Sequence, residues 1–471
     1  MLHPLFMKPR AKGLQYGQAI YLALAAIVFL SLMTFASFNL SQITHGKTQT
    51  MNAADAGAYT LANTIARDLN FMAYTNRAMV ANHAVIGQLV SLASLSEMIY
   101  LAANDISKLQ YLSWIPYIGS ILDAIGSAFE QVAQIIDDDV LPALEELTEL
   151  QNELIEFISG MQEGVHFITM ADALKVDKVI KANDPELRWA TSGGGGLLAS
   201  AANVGALMET FFGGFSEQRS DDDALGRMRE VVNVSRDGFT VKRAWIPIPS
   251  FDIGIYKSKS THVFHGGTEL SSDNKTWVGV DGLDVQYKER KIKHGKIKWE
   301  TEEIKYWLTG EVAGGSGADD WKNLSHGDMT SGAHSDAYDN RKKRLENTYS
   351  GIQPYYELTG DPKPGERPSD TFVVLVYKPV QNATTPNATQ TFGTDADNPF
   401  HLAEGRAKIY GVAAAQTYFR RPTRSDNDPT AAGLPSALYQ NGTYATLFSP
   451  YWQPRLTDLP ASVAALLAVM D

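Results

Sequence analysis

AIYLALAAIVFLSLMTFASF, the run that opens at Ala19 and closes at Phe38, decides how the rest of this chain is read. It lies inside a longer stretch, residues 13–46, with no Asp, Glu, Lys or Arg. Twenty residues at about 1.5 Å rise make a helix roughly 30 Å long, the thickness of a bilayer's hydrocarbon core. Its polar atoms are the hydroxyls of Tyr21, Ser31, Thr34 and Ser37. A membrane helix tolerates those, because Ser and Thr bond back to the preceding turn. Lys8, Arg10 and Lys12 precede the run, and only Lys47 follows closely. The bias of cations toward the cytoplasmic side places the N-terminus inside and everything after about residue 40 outside the cytoplasm. A cleaved signal peptide has a shorter apolar stretch and a small-residue cleavage site, which Thr34-Phe35-Ala36 matches poorly.

Downstream, the 471 residues suffice for a large core, and the length suggests two or three domains. A net charge of −12 argues against nucleic acid as a partner. The absence of cysteine excludes disulfides, thiolate metal sites and cysteine nucleophiles.

No proline falls between Arg10 and Ile115, and Ala58, Leu61, Ala62, Ile65, Leu69, Met72, Met79, Val80 and Ile86 recur at helical spacing. The spacing predicts a long helix running on from the membrane, with breaks near Gly46 and Gly87. A break follows at residues 114–119, then a second helical block over 120–182. There Glu145, Glu146, Glu149, Glu153 and Glu156 oppose Leu144, Leu147, Leu154, Ile155 and Ile158. Asp184-Pro185 marks a boundary, and residues 197–212 are a further helix candidate after the glycine run 192–196.

Beyond about residue 225 the pattern turns to strands, expected over 240–248, 276–280, 285–293, 296–308, 371–378 and 407–419. A hairpin is expected to turn at His294-Gly295, and 310–350 reads as a polar surface insertion. The expected fold class is α+β: a transmembrane helix continuing into a long helix and helical bundle, then a β-rich head. Its parts are a cytoplasmic start (1–18), a membrane span (19–40), an extracytoplasmic helical region (41–224) and a mixed, β-rich region (225–471).

Two runs point to a family. Gly17-Gln18-Ala19-Ile20-Tyr21-Leu22-Ala23-Leu24, followed by Met51-Asn52-Ala53-Ala54-Asp55-Ala56-Gly57-Ala58, resembles the start of TadE/TadG-like proteins of Tad (Flp) pilus systems. Near the C-terminus, residues 413–419 followed by Leu447-Phe448-Ser449-Pro450-Tyr451-Trp452-Gln453-Pro454-Arg455-Leu456 resemble the ending of longer members. The resemblance implies a membrane-anchored structural or assembly role in such a pilus or a related secretion apparatus, beside other pilus-assembly or pseudopilin-like proteins. Two departures narrow it. Five residues after Gly13 and Gly17 stand Gln18 and Leu22, where the pseudopilins carry the glutamate used in processing. The Asp-x-Ser-x-Ser metal motif of von Willebrand A domains is absent.

Other motifs have plain structural readings. Gly194-Gly195-Gly196-Leu197-Leu198-Ala199 fits G-x-G-x-x-A but follows no apolar strand, and reads as a hinge before a helix. His326, His334 and Asp336 lack spacing that fixes ligand geometry. Asp137-Asp138-Asp139 and Asp221-Asp222-Asp223 read as exposed helix starts or loops. Asp395, Asp397 and Asn398 alternate as in a calcium loop, but Phe400 stands where glycine is needed. The basic run 288–298 reads as a solvated edge hairpin, and Asn382 and Asn387 as turn residues. No catalytic, cofactor-binding or metal residue is assigned, and the chain reads as no enzyme. The alternatives are an anchored adhesion module, suggested by Trp299, Tyr306, Trp307 and Tyr418, and a glycan-acting envelope enzyme.

Overall fold

In the computed structural model, the residues described are 16–107, 119–173, 175–189, 216–243, 259–293, 296–314, 342–359, 369–379, 408–420 and 445–461. The cations at 8–12, the break at 114–118, the glycine run and helix candidate at 192–212, the motifs at 326–336 and 382–400, and the turn at 294–295 lie outside them. So do the side chains of 283–310, and with them Trp299, Tyr306, Trp307 and the basic hairpin's cations.

The chain is mixed helix and sheet, with a long N-terminal apolar helix and a β-rich C-terminal region. Helix α1 (Tyr16–Ser107) is 92 residues long, about 140 Å at 1.5 Å per residue. It has none of the expected breaks. A glycine inside a helix costs about 1 kcal/mol, which packing readily overrides. At Gly87 the missing side chain is used: a Cβ there would lie 2.8 Å from the Trp277 ring.

The second helical block is α2 (Gly119–Ile135), a π-turn (Ile136–Val140) and α3 (Leu141–Ala173), joined end to end. Pro142 has no amide hydrogen and its ring crowds the carbonyl four residues back. The wide turn just before it, closed by Leu141 N–H donating to the Ile136 carbonyl, relieves that crowding. Thus Asp137-Asp138-Asp139 occupy the π-turn and start no helix. Helix α4 (Val176–Asn183) stops at Asp184, before Pro185.

Helix α5 (Asp222–Val234) begins as an acidic helix start should: Asp221 is the N-cap and accepts from Ala224 N–H at 3.1 Å. Of the strand expected over 240–248, residues 244–248 lie outside the described residues, and 240–243 are no strand. Asp237 accepts from Phe239 and Thr240 N–H and caps a single turn, α6 (Gly238–Val241), and Arg243 then makes an isolated bridge to Gly266.

Among the described residues the named strands pair antiparallel. β1 (Arg188–Trp189), β7 (Ser369–Pro379), β8 (Lys408–Phe419) and β9 (Trp452–Thr457) form one sheet in the order β1-β7-β8-β9. β2 (Ser216–Arg219) pairs with β6 (Tyr355–Leu358). β3 (Lys259–Leu270), β4 (Thr276–Lys293) and β5 (Lys296–Gly314) form the third sheet, a meander. β4 and β5 pair from Lys293↔Lys296, the hairpin read from the sequence.

Of the insertion expected over 310–350, residues 315–341 lie outside the described residues and both ends belong to the folded body. Residues 310–314 finish β5, while Leu345 and Tyr349 are buried in a core.

α1 is common to both cores. Its Ala53, Ala54, Ala58, Ala62, Ala66 and Leu69 meet α4, β7, β8 and Trp452 in one cluster. Its Met79, Ile86, Val90 and Ala93 meet α3, α5, Trp277 and Tyr355 in the other.

Candidate functional site

Three regions of α1 define the candidate site: an uncovered apolar end, a collar where the helix enters the head, and a row of buried polar side chains above it.

Along 19–34 the apolar side chains are exposed, and Phe35 and Phe38 beyond them are half-buried. Ile20, Leu22, Leu24, Phe29 and Leu30 are 69, 76, 62, 59 and 61% exposed. Ser31 donates to the Ile27 carbonyl and Thr34 to the Leu30 carbonyl, both at 2.8 Å, so these hydroxyls need no water. This end is long and apolar enough to cross a membrane. An uninterrupted apolar sleeve of this extent is far larger than a water-exposed surface normally sustains.

At the collar, Lys47 Nζ donates to the Tyr410 carbonyl at 2.6 Å and Gln49 to the Asn183 carbonyl at 3.1 Å. Buried Lys378 reaches Asp184 at 2.7 Å and Gln49 Oε1 at 3.2 Å. Gly411 of β8 lies against the Thr50 carbonyl so closely that no Cβ fits between them. The apolar end therefore joins the head through a rigid, hydrogen-bonded helix with no flexible linker.

The Asn-Ala-Ala-Asp-Ala run gains a physical meaning here. Ala53, Ala54, Gly57 and Ala58 are buried along one face, and a Cβ on Gly57 would meet Ile180 at 3.2 Å and Val374 at 3.3 Å. Small residues there let α4 and the sheet approach the helix backbone.

Above the collar, α1 buries a series of polar groups that each hold a distant segment. Asp68 takes His166 Nδ1 at 2.7 Å and Thr169 at 3.2 Å. Asn70 both donates to the Trp452 carbonyl (2.9 Å) and accepts its N–H (3.0 Å), as a neighbouring strand would. Asn76 donates to the carbonyls of Tyr356 (2.8 Å) and Leu447 (2.9 Å) and receives Gln162 at 2.7 Å. The Leu447-to-Leu456 run is thus fastened to α1 at two points.

His83 Nδ1 lies 3.0 Å from the Tyr349 hydroxyl, and burial pushes its pKa down to about 3, so it is neutral. Ser91 donates to Thr268. Ser94 lies beside Asp281, whose carboxylate is gripped by Arg243 at 2.7 and 2.9 Å with both side chains fully buried.

The series ends in an acidic cluster. Glu97, fully buried, is 3.4 Å from Arg344 Nε and 3.8 Å from Lys342 Nζ. Arg344 also pairs with Asp137 of the π-turn at 2.6 Å. Glu311 accepts from Leu345 N–H at 3.2 Å. Burial, helped by the Glu97 charge, pushes its pKa up to about 8 against the opposing backbone N–H groups.

Chemically these groups clamp. Asp68 accepts the Thr169 hydroxyl on one oxygen and meets His166 on the other, tying α3 to α1. Among the described residues no three His, Asp or Glu are placed to hold a metal ion. None of the buried polar groups was singled out from the sequence. The signal was present as Asn, His and Ser at the helical period among apolar neighbours, but a polar residue there reads equally well as solvent-facing.

No family model, curated protein or solved structure matches the chain.

Proposed function

We propose that this protein is a single-span, membrane-anchored structural or assembly component of a Tad/Flp-type pilus or a related secretion apparatus, its head held outside the cytoplasm. One observation supports this most directly: a single unbroken helix is exposed and apolar over 19–34 and packs into the head from Thr50 onward. Such a helix passes through a bilayer and fixes the head's orientation to it, as a subunit stacked beside others requires. The residues resembling TadE/TadG-like proteins fall at mechanically meaningful places. The alanine run forms the close-packed face above the collar, and the Leu447-to-Leu456 run is the segment clamped by Asn70 and Asn76. The charge-free run and its basic N-terminal flank support a cytoplasmic start and an inner-membrane location.

The cysteine-free chain suits a direct test. Lys12→Cys and Glu149→Cys are made singly and treated with a membrane-impermeant maleimide in spheroplasts. The expected result is labelling of the Glu149→Cys chain alone, with the protein kept in carbonate-washed membranes. Labelling at position 12, or release by carbonate, sinks the anchor. Crosslinking in intact cells should join the head to pilus-assembly subunits, and recovery of cytoplasmic partners only would refute the assembly role.

A further inference from the structure

The sequence pattern assigns Leu144, Leu147, Leu154, Ile155 and Ile158 to one apolar face of α3, but the structure divides them. Leu144, Ile155 and Ile158 are buried, whereas Leu147 and Leu154 belong to a second, uncovered stripe. That stripe is Leu147, Leu150, Leu154, Phe157, Met161, Gly164 and Ile168, spaced three and four residues alternately. Leu150, Phe157 and Ile168 are 57, 64 and 59% exposed. Alternating steps of three and four are the a/d spacing by which one helix receives another. The face between this stripe and the far side of α3 is acidic, with Glu146 and Glu153 adjoining the stripe and Glu149, Glu156 and Glu163 behind them. The 33 residues of α3 contain six glutamates and neither Lys nor Arg. Glu156 is partly engaged by Ser350 and Asn152.

We infer that this face of α3 docks an amphipathic helix of another protein, one with apolar residues at three–four spacing and Lys or Arg beside them. Two other occupants fit poorly. A second copy would bring glutamates toward glutamates. A bilayer is out of reach. Asp68, which holds His166 and Thr169 at the near end of the stripe, is 30 residues beyond Phe38, about 45 Å along the helix. The stripe then runs farther away, since Gln162 pairs with Thr75 and Asn76. That the partner is another envelope subunit rests on the assembly role proposed above; the surface itself does not.

The test is site-specific photocrosslinking of the full chain in cells, with a photoreactive phenylalanine at 150, 154 and 157 and, as controls, at 149 and at Tyr74, which is exposed on α1. Crosslinks at the three stripe positions and not at the controls are expected, with the attached peptide lying in a helix flanked by Lys or Arg. Glu146→Lys with Glu153→Lys should cut the yield about three- to tenfold, as the loss of two surface charge pairs would. Meanwhile membrane retention and the maleimide pattern should stay as in the parent. Crosslinks to lipid or to a second copy, a partner peptide without basic flanks, equal yield at control positions, or insensitivity to charge reversal would each overturn the inference. Failure of the anchor itself would show separately, in the carbonate wash.

Discussion

Two buried titratable residues, His83 and Glu311, give stability opposite dependences on pH. His83, with its pKa lowered to about 3 from 6.5, stays neutral in the folded chain while the unfolded chain takes up a proton. Its contribution is complete above pH 6.5 and is lost as pH falls toward 3, at about 1.4 kcal/mol per unit. Glu311, raised to about 8 from 4.5, behaves the other way: the folded state holds the proton more tightly, and stability is lost as pH rises from 4.5 to 8. At pH 7 that loss is about 3 kcal/mol. Denaturant unfolding of the full chain in detergent should therefore show Glu311→Gln more stable than the parent at pH 7–8 and equal to it near pH 4.5. His83→Gln should lose less stability than the parent between pH 6.5 and 4.5. Parallel pH profiles for parent and variants would refute both assignments.

At the scale of the element, α1 matters because it runs unbroken through the collar. Gly46 sits just before Lys47 and Gln49 meet the head, and its carbonyl accepts the Thr50 hydroxyl at 2.7 Å. Gly46→Pro removes one backbone hydrogen bond and crowds the preceding turn, at about 3 kcal/mol or more. Spin labels at Leu40→Cys and Tyr59→Cys, both exposed, should give one narrow distance near 28 Å in the parent. The proline variant should broaden and shorten it; an unchanged distribution would mean that the collar holds the rod straight without helical continuity. The sequence pattern made most of α1 legible, because the absence of proline and the recurrence of apolar residues are local signals. The glycines misled, since Gly87 reads as a helix breaker until Trp277 is seen filling its place. Likewise Thr240 lies in a β-prone run, yet the Asp237 cap turns the chain there into a helical turn.

For the whole molecule, the consequence is cooperativity. Both cores share α1, and Asn76 with Gln162 lies where they meet, joining α1, α3, β6 and the Leu447 segment. A change in one core should therefore lower the stability of the other. Leu69→Ala, deep in the core near the collar, should cost about 2–5 kcal/mol. It should shift a single unfolding transition, with far-ultraviolet circular dichroism and tryptophan fluorescence moving together. Two separated transitions would mean that the cores unfold independently.

From residue types alone came the charge-free apolar run, the helical period beyond it, the β-rich C-terminal region, though helices run on to Val241 past the expected change at 225, and the hairpin closing at Lys293 and Lys296. Each is written in neighbours along the chain, where hydropathy and turn chemistry act. Only the tertiary structure decided which polar residues of α1 are buried and which leucines of α3 stay bare. Asn70 meets Trp452 382 positions away, and Asn76 meets Leu447 371 positions away. A hydrogen bond between residues so far apart leaves no periodicity for local sequence to display, because its energy depends on what folding brings alongside.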